Sequence, residues 1–262
     1  MSSVELRIEG GVAQLALNRP EKRNALDRDT IEGLTRGLKQ CAEDDKIRVI
    51  KITGTGAVFC AGADLAEMQA QADASESDNL AHARKLSELL GFLYEMPKPT
   101  LARVNGDGYG GALGLIGACD VVVAVDSAKF AFTEVRLGIV PAVISPFVVG
   151  KMGEAKALRY FLTADTLSAS DLKSVGLAHE VVSAGALDTA CKLLEQSLLK
   201  GAPGALSAAK ALIRDVAHGL PAERAAASKE MAARLAKLRV QPEAQEGFKA
   251  FFEKRKPIWR AD

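Results

Sequence analysis

Metal-binding chemistry has little to build on in this chain. Its 262 residues include only four cysteines and three histidines. Cys41, Cys60, Cys119 and Cys191 are widely spaced and form no CxxC, and His82, His179 and His218 stand apart from them with no motif around any of the three. That scatter argues against a structural zinc site, which draws on closely spaced ligands. It fits free, mostly buried thiols in a reducing cytoplasm. A charge excess is also missing: 34 Lys+Arg against 33 Asp+Glu leave a formal net charge of +1. Nucleic-acid binders usually carry a strong basic excess, so the balance argues against one. Long apolar runs are absent as well. The longest uncharged stretch lies between Arg136 and Lys151 and carries Pro141 and Pro146, whereas a membrane-spanning helix needs about 20 apolar residues. Met1-Ser2-Ser3-Val4-Glu5 has neither the basic start nor the apolar core of a secretion signal. What remains, 48% hydrophobic and 26% charged residues, is the make-up of one large globular domain, or of a medium one with an appendage.

Hydrophobic spacing gives the elements. Val4, Leu6 and Ile8 alternate, Gly10-Gly11 makes a turn, and Val12 to Leu17 returns as the second arm of a hairpin. From Asp29 the period lengthens. Ile31, Leu34, Leu38 and Cys41 fall on one helical face, with Asp27 or Asp29 as the N-cap. Buried strands are expected at Ile47 to Thr53, Thr100 to Val104 and Val121 to Val125, and a short one at Glu180 to Val182. A helix is expected from Leu80 to Met96, stopped by Pro97-Lys98-Pro99. Strands alternating with helices imply an α/β fold with mostly parallel pairing. Past Gly201-Ala202-Pro203-Gly204 the chain is helical. This divides it into a core at residues 1–200 and a C-terminal region at 201–262.

Three junctions carry residues suited to chemistry. In Phe59-Cys60-Ala61-Gly62-Ala63-Asp64-Leu65 small residues let a ligand approach the backbone, and a helix starting near Asp64 would leave free N–H groups. On this stretch alone, a tight strand-to-helix turn with small residues for packing explains the same residues more simply. The stretch from Asn105 to Gly114 holds five glycines in ten residues, which are costly to order. No Gly-Lys-Ser/Thr follows, so it is not a phosphate loop, and its GxGxxG is a weak dinucleotide signal. Glu134 stands between a short apolar strand and the long uncharged run. A carboxylate among apolar groups has a raised pKa, which suits a general acid or base. Pairing with Arg136 or Lys129 at the surface is the bland alternative.

Taken in order, Asn18-Arg19-Pro20, Asn24-Ala25-Leu26, Cys60 to Leu65, Lys98-Pro99, Val104-Asn105-Gly106, Gly110-Gly111, Cys119-Asp120, Glu134 to Gly138 and Phe251 to Lys256 resemble the enoyl-CoA hydratase/isomerase (crotonase) family over nearly the whole chain. The resemblance implies a spiral of ββα turns with a helical C-terminal part that builds trimers, often paired into hexamers. It makes the backbone N–H groups of Ala63 and Gly111 an oxyanion hole for the thioester carbonyl. Such donors are typically worth about 3–4 kcal/mol each in the transition state. It makes Glu134 the acid/base. It lays CoA along Ala61, Gly62, Asp64 and Leu65, with Lys22, Arg23 and Ala25 beside it, and has Phe251 and Lys254 reach a neighbour's CoA. No metal or redox cofactor is implied, since the CoA thioester is itself the substrate.

Two departures stand out. Hydrating relatives usually carry a second glutamate, which would fall at position 114, where this chain has Gly114. Some relatives of the feruloyl-CoA hydratase type work without it. After Pro141 the usual glycine-rich run is replaced by Ala142 to Val149. Gly114-Leu115 and Ile144-Ser145-Pro146-Phe147 look like the methylglutaconyl-CoA or carboxygeranoyl-CoA hydratase branch. The sequence therefore points to an enoyl-CoA hydratase. The alternatives are a single-glutamate enoyl-CoA isomerase, or a non-catalytic relative that binds acyl-CoA or RNA.

Overall fold

A computed structural model describes residues 2–72, 74–218 and 242–259. The hairpin forms as expected, with β1 (Val4–Glu9) antiparallel to β2 (Val12–Leu17) across Gly10 and Gly11, both at positive φ. Helix α1 (Arg28–Glu43) starts at Asp27, whose carboxylate accepts from the Thr30 N–H. Then follow β3 (Val49–Gly54), α2 (Leu65–Ala72), α3 (Glu76–Glu95), β4 (Thr100–Val104), β5 (Gly108–Tyr109), α4 (Gly111–Ala118), β6 (Val121–Val125) and β7 (Lys129–Ala131). The rest is α5 (Ser145–Met152), α6 (Glu154–Thr163), β8 (Leu167–Ser168), α7 (Ala169–Ser174), β9 (Glu180–Val182), α8 (Leu187–Leu199), α9 (Pro203–His218) and α10 (Pro242–Phe252).

The large sheet runs β1-β2-β3-β4-β6-β9, and every pair after the hairpin is parallel. Helices link its parallel strands, so the strands are buried on both faces and read as apolar runs. A second small sheet, β5-β7-β8, is extended by a parallel bridge from Cys60 to Gly108, and a further bridge joins Leu26 to Ala63. After β3, β4 and β6 alike, the chain thus makes a second short extended segment, at residues 60–63, β5 and β7. This repeat lines up the three junctions singled out in the sequence. Helix α9 rests on the core through partly buried contacts of its charged side chains. Lys210 Nζ donates to the Lys98 carbonyl and pairs with Asp120, and Arg214 stacks on Tyr94. Among the described residues no helix is long and apolar enough to cross a membrane.

Candidate active site

Two backbone donors come together where the extended segment at residues 60–63 and β5 end. Leu26 N–H donates to the Gly62 carbonyl at 2.7 Å, and Asp64 N–H donates to the Leu26 carbonyl at 3.1 Å. In such a parallel bridge the middle residue takes no part. The Ala63 N–H therefore faces away from Leu26, and Ala63 itself is exposed. Gly111 opens α4, so its N–H is one of the four that a helix leaves free in its first turn. Among the described residues neither N–H meets an acceptor. The two segments nearly touch. A Cβ on Gly62 would lie 2.7 Å from the Tyr109 carbonyl oxygen and 3.7 Å from the Gly111 nitrogen, and the φ of +88° there already favours glycine. The α4 macrodipole adds partial positive charge at Gly111.

Glu134 packs against Gly110, the residue before the Gly111 donor. It begins a 3₁₀ turn, Glu134–Leu137, closed by Gly138 in the left-handed region. A Cβ on Gly110 would sit 3.3 Å from Glu134 Oε1. The other oxygen, Oε2, is buried without a hydrogen-bond partner among the described residues. Burial pushes the carboxyl above its usual range, only partly opposed by the hydrogen bond from its own N–H. The surface pairing with Arg136 does not form, since Arg136 Nη2 donates to the Ala164 carbonyl. One turn further along α4, a Cβ on Gly114 would lie 2.5 Å from Ile144 Cγ2 and 2.9 Å from Leu90 Cδ1. Ile144 is 2% exposed and Leu90 0%. Hydrocarbon thus fills the space beside Gly114. Leu26 and Leu86 approach Gly111 in the same way.

The remaining residues marked out in the sequence fall in three groups. Ala61, Gly62, Asp64 and Leu65 lie in the Ala63 loop, with Leu65 80% exposed at the start of α2. Arg23 and Ala25 lie alongside. The Ala61 N–H donates to the Arg23 carbonyl, and the Arg23 guanidinium stands 3.8 Å from Asp107. Ala25 is buried, whereas Lys22 is exposed in the short turn before it. Lys254 lies elsewhere, exposed just past α10. That helix contacts the start of α9, where Glu243 accepts from the Gly204 and Ala205 N–H groups. The side chain of Phe251 lies outside the described residues. Cys60 is packed within the loop, its thiol pushed up to about 12 by burial, so it stays un-ionised.

A carboxylate near two N–H groups that meet no acceptor among the described residues is an arrangement suited to a substrate that develops negative charge on oxygen while a proton moves nearby. The sequence model of the enoyl-CoA hydratase/isomerase family matches residues 7–262. The chain belongs to that family. A solved enoyl-CoA hydratase from Shewanella pealeana superposes with a TM-score of 0.94 at 36% identity, covering 98% of this chain and 96% of its own. An enoyl-CoA isomerase/hydratase of Mycosarcoma maydis is 34% identical over 98% of this chain and 94% of its own. A hydroxycinnamoyl-CoA hydratase-lyase of Pseudomonas fluorescens is 33% identical over 79% of this chain and 76% of its own. The architecture is accordingly the crotonase fold, and the chain is an enzyme of this family.

Two features of the site escape a reading of the sequence. One is the hydrocarbon plug at Gly114, whose donor Ile144 sits in the unusual run after Pro141. The other is Arg19, which holds Asp27 at 2.9 Å and Asp64 at 3.0 Å. Its only trace in the sequence is its place in Asn18-Arg19-Pro20, a hint with no partner attached.

Proposed function

We propose that this enzyme adds water across the 2,3-double bond of an enoyl-CoA thioester, with Glu134 as its single acid/base. The observation that carries the reading is the buried Oε2 of Glu134, without a hydrogen-bond partner among the described residues, on a carboxyl that packs against Gly110, next to Gly111, whose N–H, like that of Ala63, meets no acceptor there. Glu134 takes a proton from water as the water oxygen bonds to C3. The π electrons move through C2 to the thioester oxygen, where the two N–H groups hold the enolate. Glu134 then returns the proton to C2. The sum is one water added, with no change of oxidation state. Burial favours this double duty, because a carboxylate of raised pKa accepts a proton more readily near neutral pH.

The finer reading takes a branched or carboxylated acyl group, such as methylglutaconyl-CoA. It is supported by the likeness of Gly114-Leu115 and Ile144 to Phe147 to that branch. CoA would lie along Ala61 to Leu65 and beside Lys22, Arg23 and Ala25, reaching a neighbour's Phe251 and Lys254 in a homotrimer or hexamer. Four buried cysteines, all free, support a cytoplasmic setting. A second reading, isomerisation of the double bond, is favoured by Gly114. Moving a proton between C4 and C2 needs only one base, and hydrocarbon fills the place of another.

Crotonyl-CoA decides among these. Loss of the enoyl-thioester absorbance that disappears with Glu134→Gln supports hydration. Growth of that band from a 3-enoyl-CoA supports isomerisation. Binding with no spectral change in either assay rejects both and leaves a binding protein. A panel of branched and carboxylated enoyl-CoAs then tests the acyl group.

A further inference from the structure

We propose that Arg19 is the positioning residue of this site, fixing the direction of the Ala63 N–H by tying the segment before α1 to the loop after β3. The inference rests on the reading of Ala63 as a donor to the thioester oxygen. Arg19 Nη1 donates to the Ala25 carbonyl at 3.0 Å and lies 2.9 Å from Asp27 Oδ2, while Nη2 donates to Asp64 Oδ2 at 3.0 Å. Ala25 and Asp27 flank Leu26, and Asp64 follows Ala63. The guanidinium therefore grips both sides of the Leu26–Ala63 bridge. Among the described residues that bridge has two hydrogen bonds of its own, with one more beside it from the Ala61 N–H to the Arg23 carbonyl, and Ala63 and Leu65 of the loop are exposed.

The two aspartates are used alike. Asp27 Oδ1 accepts from the Thr30 N–H at the start of α1, and Asp64 Oδ1 accepts from the Ala66 N–H at the start of α2. Each gives its second oxygen to Arg19. One guanidinium thus couples two helix starts across the bridge. The pair contacts are well withdrawn from water, with side-chain exposures of 17% for Arg19, 20% for Asp27 and 10% for Asp64, so they are screened less than a surface ion pair. Arginine's planar fork can serve two carboxylates and a carbonyl together, and lysine's point charge cannot do so with the same geometry. A backbone donor that drifts off line loses most where charge develops, in the transition state.

The test compares wild type, Arg19→Met and Arg19→Lys as full chains. Steady-state kinetics on crotonyl-CoA are combined with hydrogen exchange of peptides spanning Leu26 and Asp64. Arg19→Met is expected to lower kcat about 10–100-fold while KM stays within about threefold. Exchange should quicken at Leu26 and Asp64 while β2, β3 and β4 keep wild-type protection, and Arg19→Lys should fall between. Wild-type kcat in Arg19→Met overturns the proposal. So does faster exchange throughout the sheet, which marks a general loss of stability. If wild type itself leaves the enoyl band unchanged, the proposed reaction fails, and the exchange data alone decide whether Arg19 holds this segment: unchanged exchange at Leu26 and Asp64 overturns it.

Discussion

Placing a side chain at Gly114 tests the reasoning about the site most directly. Even the Cβ of alanine would stand 2.5 Å from Ile144 Cγ2 and 2.9 Å from Leu90 Cδ1. Both neighbours are fully packed, so neither can swing into solvent. Overpacking a dense core costs about 1–3 kcal/mol, and this contact belongs in the upper half of that range. Alanine returns about 1 kcal/mol in helix propensity over glycine. Gly114→Ala should therefore lose about 1–2 kcal/mol net. Gly114→Glu restores a second carboxylate in sequence but adds a buried acid with nothing to pair it. That raises its cost by a further ~1–3 kcal/mol. Its charge near Glu134 also raises the pKa of one of the two carboxyls. The expected result is a lower kcat/KM on the native substrate, whatever the effect on crotonyl-CoA. Ile144→Ala alone should cost about 2–5 kcal/mol. Combined with Gly114→Ala it should cost less than the sum, with a coupling of about 0.5–3 kcal/mol by equilibrium denaturation at fixed protein concentration. Strict additivity would show that the two residues do not share this space. A Gly114→Glu enzyme as stable as wild type and faster on every substrate would make Gly114 a lost catalytic position.

Glu134→Gln should lower turnover by about 10²–10⁴-fold, at the upper end because one group serves both proton steps, while calorimetry shows CoA-thioester binding largely kept; wild-type turnover would reject the acid/base assignment. Its folded pKa lies above the unfolded value, so the stability tied to the protonated form is complete below the unfolded pKa and is lost as pH rises through the folded one. The melting temperature of Glu134→Gln should accordingly gain on wild type as pH climbs through that range, and the acidic limb of kcat/KM should lie above the ordinary glutamate pKa of about 4.3; a flat difference in melting temperature would contradict the burial. Asp120→Ala takes the carboxylate from Lys210, leaving it the Lys98 carbonyl alone among the described residues, and removes the partner of the Thr100 N–H. It should cost about 3–5 kcal/mol, more than Lys210→Met, which leaves Asp120 its bonds from Thr100. Light scattering at micromolar concentration should return the mass of a trimer or hexamer, and a monomer mass would remove the neighbour's part in CoA binding.

Local signals were legible in the sequence and distant ones were not. The hairpin and the parallel strands follow from short-range spacing and form close to the expected places, β3 starting at Val49 rather than Ile47, and of the two candidate caps Asp27 is the one used. Helix α3 begins at Glu76, a turn before the expected Leu80, because Ser75 caps it through Asp78 while the first turn is polar and carries no apolar period. The place of Glu134 between apolar runs leaves acid/base chemistry and surface pairing with Arg136 or Lys129 both open, and the resemblance to the family chooses between them. Arg19 could not be picked out, since Asp64 lies 45 residues along the chain and only the fold brings the two loops together. Ile144 likewise reaches Gly114 from the segment before α5. Its sequence shows an apolar residue, but not the glycine that makes room for it.

The plug and the carboxylate belong to one arrangement. A second acid one helical turn from Gly110 would compete with Glu134 for a single proton, because like charges at close range resist joint ionisation. Hydrocarbon in that place removes the competitor and keeps water from settling there, since Ile144 and Leu90 offer it no polar partner. On the proposed reaction, the attacking water must then be held by Glu134 itself, and the same oxygen atoms must later face C2. Isomerisation demands the same reach between two carbons and differs only in whether water enters. The choice between them lies in solvent access to C3, because the proton carrier and the enolate donors are common to both. An isotope experiment follows from this: in D2O, hydration must fix deuterium at C2 of the hydroxyacyl product. Isomerisation by a sheltered Glu134 must instead carry the C4 proton to C2, with little deuterium incorporated. Full deuterium at C2 without any hydroxyacyl product would show that Glu134 exchanges freely with solvent, and would contradict the burial from which its role was argued.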